Sequence, residues 1–130
     1  PYDFSFSGLK TAVINQIHNA SQKGVELPVA DLASSFRRAV VDCLVHNFQK
    51  AAEDLGYTTL VTAGGVSANS LLRKRLEALC GERGWKLFMP PKDLCGDNAA
   101  MVGAQGYYEW KAGNRAGLNL NACATMSIEG

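Results

Sequence analysis

A chain of 130 residues, 47% hydrophobic and 19% charged, has the make-up of one soluble globular domain and can bury roughly two-thirds of its unfolded surface. The 13 Lys and Arg nearly balance the 12 Asp and Glu, and a net charge of +1 excludes a polyelectrolyte that seeks nucleic acid through bulk charge. No apolar run approaches the roughly 20 residues that cross a bilayer and no signal-peptide pattern opens the chain, so a cytoplasmic protein without membrane attachment is expected. The start at Pro1, already inside a patterned stretch, suggests an excised piece of something longer.

Apolar residues at Leu9, Val13 and Ile17 predict a helix from Ser7 to about Asn19 with Ser7 as its cap. A polar loop follows around Ser21 to Pro28. A long helix is expected from Ala30 to Leu55, with an apolar stripe through Leu32, Phe36, Val40, Cys43 or Leu44, Phe48, Ala51 and Leu55, stopped at Gly56. Thr58 to Thr62 reads as a fully buried strand. Asn69 to about Cys80 reads as a helix with Leu72, Leu76 and Leu79 inward, and Lys86 to Met89 as a short strand ended by Pro90-Pro91. A loop from Lys92 to Gly96 leads to a last helix, about Asn98 to Lys111, capped by Asp97 and carrying small residues suited to close packing. The order helix, helix, strand, helix, strand, helix predicts an α/β fold with parallel strands, as a single domain over residues 1–130.

Three stretches carry possible chemistry. The segment T-A-G-G-V-S-A-N-S places Gly64 and Gly65 between a strand and a helix. Residues without Cβ let a ligand approach the main chain, and unpaired amides there favour anionic oxygens. It matches neither G-x-G-x-x-G nor the Walker loop, so a plain turn and a nucleotide site both remain open. Asn69 either caps the next helix or donates to a ligand. In L-C-G-D-N-A-A-M, Asp97 is a helix cap or one ligand of a cation whose other ligands lie elsewhere. The opening D-F-S-F-S-G-L-K-T offers Ser7 and Gly8 at a helix start and Lys10 as a charge for a phosphate. Arg37-Arg38 and Arg73-Lys74-Arg75 read as solvated helix faces. The four cysteines form no C-x-x-C pair and read as reduced thiols, and His18 and His46 match no ligand spacing.

Taken together, F-S-F-S-G-L-K-T, A-S-S-F-R-R-A-V-V-D, A-G-G-V-S-A-N-S-L-L-R and C-G-D-N-A-A-M resemble, in order, the bacterial TsaD family of tRNA adenosine threonylcarbamoyltransferases, formerly described as O-sialoglycoprotein endopeptidases or glycoproteases. The likeness runs from Asp3 to about Gly113 and is to the C-terminal part of such proteins. It implies most of the second lobe of an actin-like, Hsp70-like (ASKHA) ATPase fold. It also implies transfer of threonylcarbamoyl from threonylcarbamoyl-AMP to N6 of adenosine 37 in tRNAs reading codons that start with A.

By this resemblance Asn69 contacts an ATP- or AMP-type ligand, Gly64 and Gly65 form the turn beside it, and Asp97 binds an iron or zinc ion. The family's other metal ligands, an H-x-x-x-H pair, have no counterpart here, so the fragment is expected to be inactive alone and to hold metal weakly or not at all. Gly96 stands where the family usually has Thr or Ser. The implied partners are tRNA and TsaB-like and TsaE-like proteins, with self-association of the fragment through an uncovered apolar face. A non-catalytic nucleotide-binding or partner-binding module of the same fold is the alternative. A protease is the weakest reading, because H-E-x-x-H is absent.

Overall fold

A computed structural model describes residues 2, 3 and 5–125. The chain forms two compact units, Pro1–Gly96 and Asp97–Gly130.

In the first unit, α1 (Phe6–Gln22) begins at Ser5, whose Oγ accepts the amide of Ser7 at 3.2 Å. The cap is thus Ser5 and not Ser7: only Ser5 has the extended backbone (φ −125°, ψ 129°) that turns its side chain back over the helix start. Tyr2 ties the entering chain to the long helix α2 (Val29–Leu55). Its hydroxyl donates to Asp54 at 3.2 Å and its carbonyl accepts from Asn47 at 3.1 Å. Gly56 ends α2 in the left-handed region at φ 72°, a conformation that costs glycine nothing.

β1 (Thr59–Val61), α3 (Ser70–Arg83) and β2 (Lys86–Phe88) form a βαβ unit, and the two strands pair in parallel with Leu60 opposite Leu87. The α/β class and parallel pairing agree with the sequence reading.

The core lies between α2 and α3. Val41 and Val45 meet Leu72, Leu76 and Leu79, while Ala52, Leu60 and Cys80 form an adjoining cluster, with Phe48, Trp85 and Leu87 packed against both. The buried face of α2 is therefore turned about one residue from the predicted stripe: Val41 and Ala52 are buried, Phe36 and Leu55 exposed. β1 is not fully buried either, since only Leu60 is covered and Val61 is 66% exposed. The reason is the sheet itself, which has two strands among the described residues and is packed on one side.

In the second unit, α4 (Ala99–Lys111) starts at Asn98, whose Oδ1 accepts the amide of Met101 at 2.9 Å. The expected cap, Asp97, lies one residue outside it. The small residues Ala99, Ala100, Gly103 and Ala104 are exposed.

Candidate functional site

The turn after β1 is built from glycine and one buried serine. Thr62 extends the strand pairing, its amide donating to Phe88 at 3.0 Å. Gly64 then takes φ 87° and ψ 164°, a combination essentially confined to glycine. A single 3-10 turn, Gly65–Ala68, follows. Ser67, 4% exposed, locks it from inside, with its amide (3.0 Å) and hydroxyl (2.7 Å) both donating to the Gly64 carbonyl. The Gly64 carbonyl is thereby satisfied twice. The amides of Gly65 and Val66 have no hydrogen-bond partner among the described residues. A Cβ on Gly65 would meet no atom within 4 Å, so the space beside it is open.

Asn69 closes the segment. Its Oδ1 accepts from the amides of Leu71 (3.0 Å) and Leu72 (3.2 Å) and caps α3. The two roles weighed from sequence, cap or ligand donor, are compatible, because the cap uses only the oxygen. Its Nδ2 has no partner among the described residues, and the cap fixes which way the planar amide is presented. The cap also occupies the Leu71 and Leu72 amides, so the open main-chain donors lie on the turn.

Arg73 is the residue that sequence reasoning missed. It is no solvated helix face: it is half-buried, and its guanidinium donates to the carbonyls of Ser67 (3.1 Å) and Pro90 (2.9 Å) and approaches Cys95 Sγ at 3.7 Å. Buried Cys95 in turn donates to the Pro91 carbonyl at 3.4 Å. One planar cation thus ties the glycine turn to the loop after β2. In the sequence it stands between a glycine junction and two further cations that make it look like part of a solvated run.

The start of α1 borders the same region. Phe6 lines a cavity of about 330 Å³ together with Ala63, Val66 and Ser67. Thr62 lines it too, and its hydroxyl oxygen is buried without a hydrogen-bond partner. Ser7, Gly8 and Lys10 lie in the first turns of α1 and are exposed, and the Ser7 amide is already held by Ser5.

Asp97, in the second unit, is exposed, and its carboxylate makes no hydrogen bond or ion pair among the described residues. With Asn98 as the cap, Asp97 is relieved of that duty. No group of three or more His, Cys, Asp or Glu side chains that would hold a metal occurs among the described residues. His18 instead meets Gln22 at 3.0 Å. Asp97 alone does not fit a complete metal centre. A Cβ at Gly96, as Ser or Thr would carry, meets no atom within 4 Å.

These features define an α/β protein with a βαβ crossover and an amide-bearing glycine turn at the carboxyl end of its first strand. A family model for TsaD, tRNA N6-adenosine threonylcarbamoyltransferase, matches residues 1–104, and the chain belongs to that family. It is 49% identical over 129 residues to a tRNA N6-adenosine threonylcarbamoyltransferase of Bacillus thuringiensis (strain Al Hakam), covering 98% of this chain and 38% of the relative. The protein of the same name from Limosilactobacillus reuteri (strain DSM 20016) is 50% identical over 135 residues, with the same shares covered. The chain thus spans well under half the length of these curated relatives. No described helix is long and apolar enough to cross a membrane.

Proposed function

We propose that this chain is the second-lobe segment of a tRNA N6-adenosine threonylcarbamoyltransferase with an actin-like ATPase fold. The full-length enzyme transfers threonylcarbamoyl from threonylcarbamoyl-AMP to N6 of adenosine 37, in tRNAs reading codons that start with A. What supports this reading, beyond membership of the family, is the state of Asn69: its oxygen is anchored to α3, while its nitrogen and two amides of the preceding turn have no partner among the described residues.

In this reading the Gly65 and Val66 amides donate to the adenylate phosphate, and the bare Gly64-Gly65 backbone admits it closely. Asn69 Nδ2 donates to an acceptor on the same nucleotide. Ser7, Gly8 and Lys10 flank the ligand from α1. Holding the acyl phosphate in one pose is the contribution to the reaction, since transfer to a weakly nucleophilic exocyclic amine depends on proximity and orientation. Asp97 is assigned to an iron or zinc ion whose other donors lie outside these residues, so the segment alone is inactive. TsaB-like and TsaE-like proteins are its partners in the cytoplasm, and exposed Val61 and Phe88 give the isolated segment a surface for self-association.

The test is threonylcarbamoyladenosine content of tRNA, measured by nucleoside mass spectrometry with the full-length protein. Asn69→Ala and Asp97→Ala should each lower it at least tenfold. Wild-type levels in both would overturn the assignment.

A further inference from the structure

Three of the acidic side chains on α2 are matched to particular cations. Arg75 pairs with Asp42 at 2.9 Å, Arg83 with Glu53 at 2.7 Å and Lys50 with Asp54 at 2.6 Å. Other cations are left over, Arg38 and Lys86 among them, and three of these gather at one place. Arg37 on α2, Lys74 on α3 and Lys92 in the 3-10 turn after β2 have no ion-pair or hydrogen-bond partner among the described residues. They line one open surface cleft of about 460 Å³, where Glu77 is the only carboxylate among the described lining residues and Arg73 adds a fourth positive charge.

In a chain of net charge +1 this is a local concentration, set by which partners the neighbouring acids have taken. The three side chains come from three different elements around one open cleft. A cleft lined by cations from three elements suits a polymer bearing one charge per unit, gripped through counterion release.

We infer that this cleft seats the phosphodiester backbone of the tRNA substrate. The inference rests on the function proposed above and adds where this chain holds the RNA. The grip is independent of base sequence, because Lys and Arg at phosphates fix position without reading bases. Lys74 and Arg37 hold the strand between α2 and α3, and Lys92 extends the contact to the loop that Arg73 ties down.

The experiment is tRNA binding by the full-length protein across a salt series, for wild type and for Arg37→Gln, Lys74→Gln, Lys92→Gln and the triple variant. Lys50→Gln, which removes an already paired cation, serves as the reference. Each single variant should weaken binding several-fold at low salt and reduce the slope of log affinity against log salt by about 0.7 to 0.9. The triple variant should lose about two units of slope, and Lys50→Gln should match wild type. Wild-type affinity and slope in the triple variant would overturn the inference. So would a triple variant that binds tRNA normally yet loses AMP or an acidic protein partner, because the cleft would then serve that ligand. Should wild type modify tRNA while the triple variant binds it unchanged, only the cleft is wrong. Should wild type fail to modify tRNA at all, the function proposed above fails first.

Discussion

Arg73 Nη2 donates to the carbonyl oxygen of Pro90 at 2.9 Å, joining helix α3 to the loop after β2 across 17 residues of sequence. The other nitrogen of the same fork reaches Ser67 at 3.1 Å. Hydrogen bonds from a charged donor contribute about 1.5–3 kcal/mol each, and the loss of one leaves a part-buried carbonyl unmet. Arg73→Ala should therefore destabilise the protein by roughly 2–4 kcal/mol, read as a lower urea midpoint. Arg73→Lys should recover little, since one ammonium cannot span two carbonyls as a planar fork does. A lysine variant as stable as wild type would show that only the charge matters.

Asn69 allows its two jobs to be separated. Asn69→Asp keeps an acceptor for the Leu71 and Leu72 amides and removes the N–H donors. It should melt within a degree or two of wild type while nucleotide binding falls at least tenfold by calorimetric titration. Asn69→Ala loses the cap too and should cost about 0.5–2 kcal/mol. Equal nucleotide affinity in wild type and the Asp variant would remove Nδ2 from the site.

The adjacent glycines should respond differently. Gly64 has φ 87°, so Gly64→Ala is strained even though its Cβ would meet nothing within 4 Å, and a loss of about 1–3 kcal/mol is expected. Gly65 has no such dihedral and the same open space. Gly65→Ala should fold with near wild-type stability and bind nucleotide poorly, because the new methyl occupies the approach. Thermal melts paired with titrations separate the two outcomes.

Burial raises the thiol pKa of Cys80 above its ordinary 9.0. The folded state holds the proton more tightly than the unfolded chain, so this thiol leaves stability unaffected below about pH 9 and lowers it as pH rises past 9, where unfolding releases the proton. Cys80→Ala should flatten that alkaline decline, though it also leaves a small cavity. In native thiol labelling near pH 8, exposed Cys123 should react fastest, with buried Cys80 and Cys95 protected. Rapid labelling of Cys80 would mean that α3 opens locally.

The element order, the parallel pairing and the inward Leu72, Leu76 and Leu79 could be read from the chain, because each depends on local periodicity or on glycine punctuation. What escaped depends on choices between near neighbours. Ser5 and Ser7 are both good caps two residues apart, as Asp97 and Asn98 are one apart, and backbone dihedrals decide between them. The α2 face was misjudged because 27 residues offer two apolar stripes, and contact with α3 selects the one through Val41 and Val45. Exposure of Val61 could not be foreseen either, since a β-branched run looks alike whether one side of a sheet or both are covered. Arg73 lay hidden for a different reason: its partners are main-chain carbonyls, which carry no signature in sequence.

The primary amide of residue 69 is flat and stiff, so anchoring one end of it fixes the polarity of the other. In the proposed site helix α3 would thereby act as a filter: whatever meets that nitrogen must bring a lone pair, and a molecule offering hydrogen there would be refused. A half-turn of the group about its last bond would invert the preference and fray the first coil of the helix in the same motion. Under that proposal, discrimination between ligands would be underwritten by secondary structure.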